Sequence, residues 1–342
     1  MRLTFLLSIV TFFLALSASR ADEVRKLDGE RHSGTIKSIT TTAITFGGSV
    51  RDTVVPVNEI AAVVFTPEPR GLAEARAAYD AGRYTDVFTS LSEIKPEQIR
   101  RGEIKTEVEF YRAMAAARLA GFGSVDQKTA TAAGKELIRF LGEHKDSHHF
   151  YEVNEALGDL LAALKNPNAF HYYEVLASAP WPDYQVRANL LKGRSEQMHG
   201  NHTRAIELYD LALAIPASGR PAELQMQLAR VGKATSLVET GKLDEARQLL
   251  SEVIAKAAES DREVFARAYN ALGGAHRKAG ATTDALLEYL KVELLYNTVP
   301  DAHAEALYYL SQLWPEARHP DRARAAAAAL QDRYPTSRWN KR

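Results

Sequence analysis

From about residue 70 onward, apolar positions recur three or four apart, the spacing that lines one face of an α-helix. They also follow a longer cycle: Gly200, Ala205, Tyr209 and Ala212 are followed by Gly241, Ala246, Leu250 and Val253, then by Gly280, Ala285, Tyr289 and Val292. Ala323, Ala327 and Leu330 continue the series. The alanines at 205, 246, 285 and 323 stand 41, 39 and 38 residues apart, a period expected of stacked helix-turn-helix units, each burying its apolar face against its neighbours. Counting from both ends gives about seven pairs over residues 70–338. The first has Gly82 and Tyr84 in its turn, the second runs from Ile104 to His144 with a long turn near Gly121 to Thr131, and the third from Phe150 to Ala177.

The pattern is different before residue 66. Short Thr-, Val- and Ile-rich runs at Glu23 to Leu27, Ser33 to Ile39, Ala43 to Phe46, Thr53 to Val57 and Ile60 to Phe65 are separated by Gly29, Gly34, Gly47, Gly48 and Pro56. Five short strands predict a small barrel over residues 22–66. Its segment Leu27-Asp28-Gly29, Gly34-Thr35-Ile36 and Ile44-Thr45-Phe46 resembles an SH3-like or Sm-like barrel. Pro67 and Pro69 end the strand region, because proline donates no ladder hydrogen bond and biases the residue before it away from helix. Ahead of the strands, Arg2, an apolar stretch from Leu3 to Leu16, and small residues Ser19 and Ala21 predict an export signal over residues 1–21, cleaved after Ala21. The apolar stretch is shorter than the roughly 20 residues of a spanning helix.

The repeats have a packing logic. Helices approach closely where facing side chains are small, and Ala205, Ala246, Ala285 and Ala323 supply this on the second helices, with Gly158, Gly273 and Ser311 on the first. Tyr269, Leu272, Leu310 and Trp314 fill the space between ridges. A glycine ends each first helix, and Pro216, Pro300 or Pro335 separates units. This pattern resembles the tetratricopeptide repeat family, with the match sharpest in the units ending at Val292 and Leu330. Lys192, Glu196, Arg230 and Lys233 depart from it, standing where the family has apolar residues. The resemblance implies a mainly α fold: a right-handed α-solenoid of helix pairs, here preceded by the five-stranded β-barrel. The order of signal, small barrel and repeats resembles exported repeat proteins of unknown function in planctomycete-type bacteria. It is also similar to envelope-assembly repeat proteins of Gram-negative bacteria.

Composition narrows the function. Lys plus Arg and Asp plus Glu both number 43 in 342 residues, so no net field attracts nucleic acid or anionic lipid, and recognition must be local. Loss of Arg2 and Arg20 with the signal leaves a net charge of −2. With no cysteine, disulfides, thiolate metal sites, thiol nucleophiles and a lipid-modified N-terminal Cys are excluded. There is no Gly-x-Ser-x-Gly elbow, no His-Glu-x-x-His and no phosphate-cradling glycine loop. The chain is therefore expected to be non-enzymatic and to need no cofactor.

The tetratricopeptide resemblance places a stripe of each first helix on a concave wall, where a protein segment lies. It points to Arg194, Gln197, Thr235, Asn270, Arg277, Tyr308 and Gln312. Arg holds a carboxylate with two parallel bonds, and Asn or Gln pairs with a peptide group. The competing reading of each, and the commoner one for such a residue, is a solvated helix face. His148, Glu152, Glu155 and Asp159 fall at i, i+4, i+7 and i+11 and would converge on a divalent cation if one helix carried all four. The competing reading is a helix start capped by Ser147, with acidic residues in its first turn. The expectation is an exported scaffold, periplasmic first and secreted or envelope-associated second, binding a protein or peptide partner in the envelope, with no nucleic acid and no membrane span once the signal is gone. The alternatives are a structural or oligomerising envelope component and a metal-dependent accessory or enzyme.

Overall fold

The computed structural model describes residues 21–48, 51–121 and 127–341. The expected export signal, apart from Ala21, and residues 122–126 of the expected long turn lie outside these residues, while Gln127 to Thr131, expected in that turn, are helical.

Strands β1 (Asp22–Lys26), β2 (Arg31–Ile39), β3 (Ala43–Gly47), β4 (Thr53–Pro56) and β5 (Ile60–Val64) form one antiparallel sheet in the order β4-β3-β2-β1-β5. Alternation sets its buried face: Val24 lies opposite Val63, and Ile44 opposite Val55, and with Phe46 these side chains are buried.

Seven antiparallel helix pairs follow among the described residues, as the tetratricopeptide-like periodicity predicts. They are α1 (Arg70–Asp80) with α2 (Tyr84–Ser92), α3 (Gly102–Gly121) with α4 (Gln127–Glu143), α5 (Phe150–Ala163) with α6 (Ala169–Ala177), and α7 (Pro182–Met198) with α8 (His202–Ala214). Then come α9 (Arg220–Glu239) with α10 (Leu243–Lys256), α11 (Arg262–Lys278) with α12 (Thr282–Leu295), and α13 (Pro300–Leu313) with α14 (Pro320–Arg333). The core has no single centre. It is a series of clusters handed from pair to pair, from Val24 through Leu160, Leu191 and Ala275 to Trp339. The Ala-apolar stripes are buried where the cycle puts them, at Ala205, Tyr209, Ala212, Ala246, Leu250, Val253, Ala285, Tyr289 and Val292. Only the last unit slips: Ala327 is exposed and Ala326 takes its place.

The close approach between paired helices differs in detail from the expected small-on-small contact. A tyrosine ring of the second helix lies flat on a glycine of the first: Tyr173 on Gly158, Tyr209 on Gly193 and Tyr289 on Gly273. Tyr209 is also pressed by Gly232 of the following pair. Two of the polar residues that broke the family pattern, Lys192 and Lys233, are paired with the preceding second helix, whereas Glu196 accepts from Asn201 just after its own helix. Lys192, although buried, bonds Glu174, and Lys233 Nζ lies 2.8 Å from Asp210.

The turn within a pair needs a left-handed residue, and Gly82, Gly200, Gly241 and Gly280 provide it at φ 71–84°. There the next residue's N–H reaches back to close the helix, as Lys242 N does to Leu237 O at 2.9 Å. Lys165 (φ 56°) and Arg318 (φ 65°) occupy the same position, where a Cβ costs about 1 kcal/mol. Lys165→Gly and Arg318→Gly are each expected to stabilise the fold slightly, by about 1 kcal/mol at most, and so to raise the melting temperature, whereas Gly241→Ala lowers it. Thermal melts of the three single variants check this.

Two features close the ends of the array. The sheet shares one core with α1, α3 and α5 through Phe65, Leu72, Ile104 and Phe110. Arg101 clamps Asp22, which also accepts from Thr66 N, at 2.8, 3.1 and 2.7 Å. At the other end Trp339 is 5% exposed and packs on Tyr308 and Tyr309 of α13.

Candidate functional site

The first helices of successive pairs touch one another, α3 with α5, α7 with α9, α9 with α11 and α11 with α13. The second helices mainly meet the next first helix, so the first helices make the inner wall. The sheet lies over the front part of this wall. Ile60 to Val63 border a cavity shared with Tyr79 of α1, Phe110 and Tyr111 of α3, Glu152 of α5 and Tyr184 of α7, and Asn58 Nδ2 reaches Asp183 at 3.4 Å. The wall left uncovered belongs to α9, α11 and α13.

That wall carries alternating charges. Arg194 Nη2 lies 3.9 Å from Glu263, Glu263 2.8 Å from Arg267, Arg267 3.6 Å from Asp301, and Asp301 3.3 Å from Arg338. The chain of ion pairs crosses from α7 to the turn after α14. Most of these groups are part-exposed, where such pairs contribute little stability.

The predicted groove residues are divided by this arrangement. Asn270, Arg277 and Tyr308 are brought together on facing stretches of α11 and α13. The Asn270 amide, 3% exposed, donates to Ala302 O at 2.8 Å and Glu305 at 3.2 Å. Arg277 lies over the Tyr309 ring at 4.9 Å, and Tyr308 meets Tyr309 edge-on and Trp339 at a tilt. Asn270 Oδ1 and Arg277 Nε are buried without a hydrogen-bond partner among the described residues. Gln197 is committed inward instead: it accepts from the Tyr209 hydroxyl at 2.9 Å and reaches Gly232 O at 3.5 Å. Thr235 bonds its own helix at Val231 O. Arg194 is tied loosely to Glu263, and Gln312 is exposed.

Glu305, beside Asn270, is a residue the sequence did not single out. Burial in the wall, reinforced by Asp301, pushes its carboxyl up to about 7, and burial with Glu155 nearby pushes Asp159 up to about 6. A raised acid holds its proton in the folded state where the unfolded chain has lost it. Its contribution is therefore full below pH 4.5 and fades as pH rises to about 7. Glu305→Gln should match wild type near pH 5 and exceed it at pH 8, by about 1–2 kcal/mol after allowance for partial exposure. Urea midpoints at the two pH values measure this difference.

The alternative cation set His148, Glu152, Glu155 and Asp159 is not assembled. His148 and His149 precede α5 rather than lie on it, so helical spacing does not apply from His148. Glu155 is held by Arg187 through two 2.5 Å contacts, Asp159 accepts from the Tyr173 hydroxyl at 2.9 Å, and Glu152 is turned largely to solvent. His148 and His149 instead meet Glu107 of α3. Burial lowers His148 to about 3; His149 is also buried, but Glu107 outweighs that and raises it to about 9. Sequence reasoning had no route to Glu107, which lies far upstream on another pair.

A tetratricopeptide repeat model matches residues 231–300, from mid-α9 to the start of α13. The solved tetratricopeptide repeat protein from Parabacteroides merdae is similar at TM-score 0.51 and 15% identity, covering 77% of this chain and 91% of that one. NprR in complex with its cognate peptide NprX is similar at 0.49 and 17%, covering 79% of each chain. The apo form of NprR from B. thuringiensis gives 0.45 and 16%, covering 77% and 75%. No curated protein matches. At these identities the likeness is one of fold: the helical array is an α-solenoid of the tetratricopeptide kind. No helix among the described residues is long and apolar enough to cross a membrane.

Proposed function

We propose that this chain is an exported, non-enzymatic scaffold that captures a protein segment on the inner wall formed by α9, α11 and α13. The observation that carries the reading is the pair of buried polar atoms without partners, Asn270 Oδ1 and Arg277 Nε, on the part of the wall the sheet leaves open. A buried acceptor and a buried donor left unmade are costly, and a peptide N–H and a carboxylate supplied by a partner would satisfy them. The aromatic neighbours Tyr308 and Tyr309 add apolar area to the same place. The export assignment rests on Arg2, the Leu3 to Leu16 stretch and Ala21; sequencing the N-terminus of the mature protein from a periplasmic fraction tests it, with Asp22 expected first. The N-terminal sheet is open rather than the expected closed barrel, with β4 and β5 at its edges, and in this reading it braces the front of the wall.

Photo-crosslinkers placed at Tyr308 and Gln312 in living cells test the capture. Asn270→Ala and Arg277→Ala are expected to remove the crosslinked species by about 10-fold or more, the loss of one or two charge-assisted bonds. Undiminished crosslinking in both folded variants overturns the reading. The oligomerising alternative has one observation in its favour: Leu287, Leu294 and Leu295 of α12 are exposed on the outer side. Light scattering across a concentration series, with Leu294→Glu as the comparison, separates the two.

A further inference from the structure

The junction of sheet and solenoid contains a group of side chains that partner capture does not use. Glu107 of α3 is 1% exposed, and His148 and His149, on the turn before α5, are buried against it. His149 Nε2 stands 2.9 Å and His148 Nε2 3.6 Å from Glu107 Oε1, and one donor atom from each of the three lies within 4.8 Å of the others. His148 is the telling member. Its Nδ1 is buried with no hydrogen-bond partner among the described residues, and its Nε2 is beyond hydrogen-bond reach of the carboxylate. A buried imidazole is normally hydrogen-bonded.

We propose that Glu107, His148 and His149 form a divalent transition-metal site, with Zn²⁺ as the expected ion. Two imidazoles and one carboxylate are a known donor set for this metal. With metal–donor bonds of about 2.0–2.2 Å, neighbouring donors stand about 2.9 Å apart at a right angle and about 3.4 Å apart at the tetrahedral angle; the two separations seen here bracket that range closely. The ligands are held by packing. His149 lies flat on Phe110 at 3.4 Å and 8°, and Glu152 stands 3.5 Å from His149 Nδ1, the place of the outer carboxylate that orients a ligating imidazole. The site is open on one side. It borders a cavity of about 110 Å³ lined by Tyr79, Asp80, Tyr111, Tyr184 and β5, so a fourth position is free for water or a small anion, as in sites with three protein ligands.

A second grouping across α3, Glu109 with Glu143 and His144, supplies the contrast. Both ring nitrogens of His144 are already engaged, by Thr106 and Glu109, and Glu143 is exposed.

The test uses the mature chain stripped of metal and titrated with Co²⁺, whose visible d–d bands report coordination, and with Zn²⁺ in competition. One equivalent is expected to bind, giving tetrahedral or five-coordinate bands that Zn²⁺ displaces, and to raise the melting temperature. Glu107→Gln and His148→Asn should weaken binding by about 100-fold or more, while His144→Ala leaves it unchanged; circular dichroism identifies the variants that fold. If no equivalent binds to the folded wild type, or if folded His148→Asn or Glu107→Gln binds as tightly as wild type, the assignment is overturned.

Discussion

Gly232→Leu is expected to destabilise the central repeats strongly. A Cβ at residue 232 would stand 2.4 Å from Tyr209 Cζ, and one at residue 193 stands 2.7 Å from the same ring. Tyr209 is buried and its hydroxyl is fixed on Gln197, so the ring has nowhere to move without parting α7 from α9. Overpacking a well-filled core typically costs about 1–3 kcal/mol; clamping from two sides puts this site at the upper end or beyond. In a solenoid, where each unit is supported only by its neighbours, that is enough to uncouple the two halves. Chemical denaturation should show a lower midpoint or two separate transitions. The cause is tested by a double variant: because Tyr209→Ala removes the obstacle, Gly232→Leu added to it should cost much less than it does alone. Equal costs in both backgrounds would show that the ring is not the reason.

Asp22→Ala carries the second large effect. Asp22 is 4% exposed and takes three hydrogen bonds, two from Arg101 and one from Thr66 N. Its removal leaves the Thr66 N–H unpaired and Arg101 with Thr66 O and Glu103 as its remaining partners, at about 1–3 kcal/mol. Because this clamp ties β1 to the start of α3, the loss is expected to appear first as faster amide exchange in β1 and β5, with α11 to α14 unchanged. Asp22→Asn, which keeps an acceptor for Thr66 N, should recover part of the loss. Uniform destabilisation along the whole array would argue that the clamp is not local.

What the sequence made legible follows from distance along the chain. Small and large residues at fixed spacing determine how a helix meets its neighbour a few turns away, and the cycle through Ala205, Ala246 and Ala285 therefore announced the solenoid. Gly193 and Gly232 escaped notice because polar residues surround them, Lys192 and Arg194 in one case and Lys233 in the other; their role appears only once Tyr209 is seen lying across both. The candidate site was less readable. Asn270, Arg277 and Tyr308 do share one stretch of wall, but Gln197 is spent on Tyr209, an obligation set by a residue on the partner helix. The proposed cation set failed for a simple reason: the helical period was extended to His148, which sits in the turn before α5. The fold of the sheet onto α7, through Asn58 and Asp183, joins positions too far apart for any local pattern to reveal.

The closed ends of the array set what it can join. Stacked helix pairs with bare apolar ends invite further pairs to add on, whether from the same chain or another. Here one end is plugged by a sheet that shares its core with α1 and α3, and the exposed face of α14 shows arginine, alanine and glutamine but no large apolar side chain. Copies of this molecule therefore have little reason to thread end to end into a filament. Assembly is expected to be built sideways, with the leucines of α12 among the exposed apolar side chains available for it.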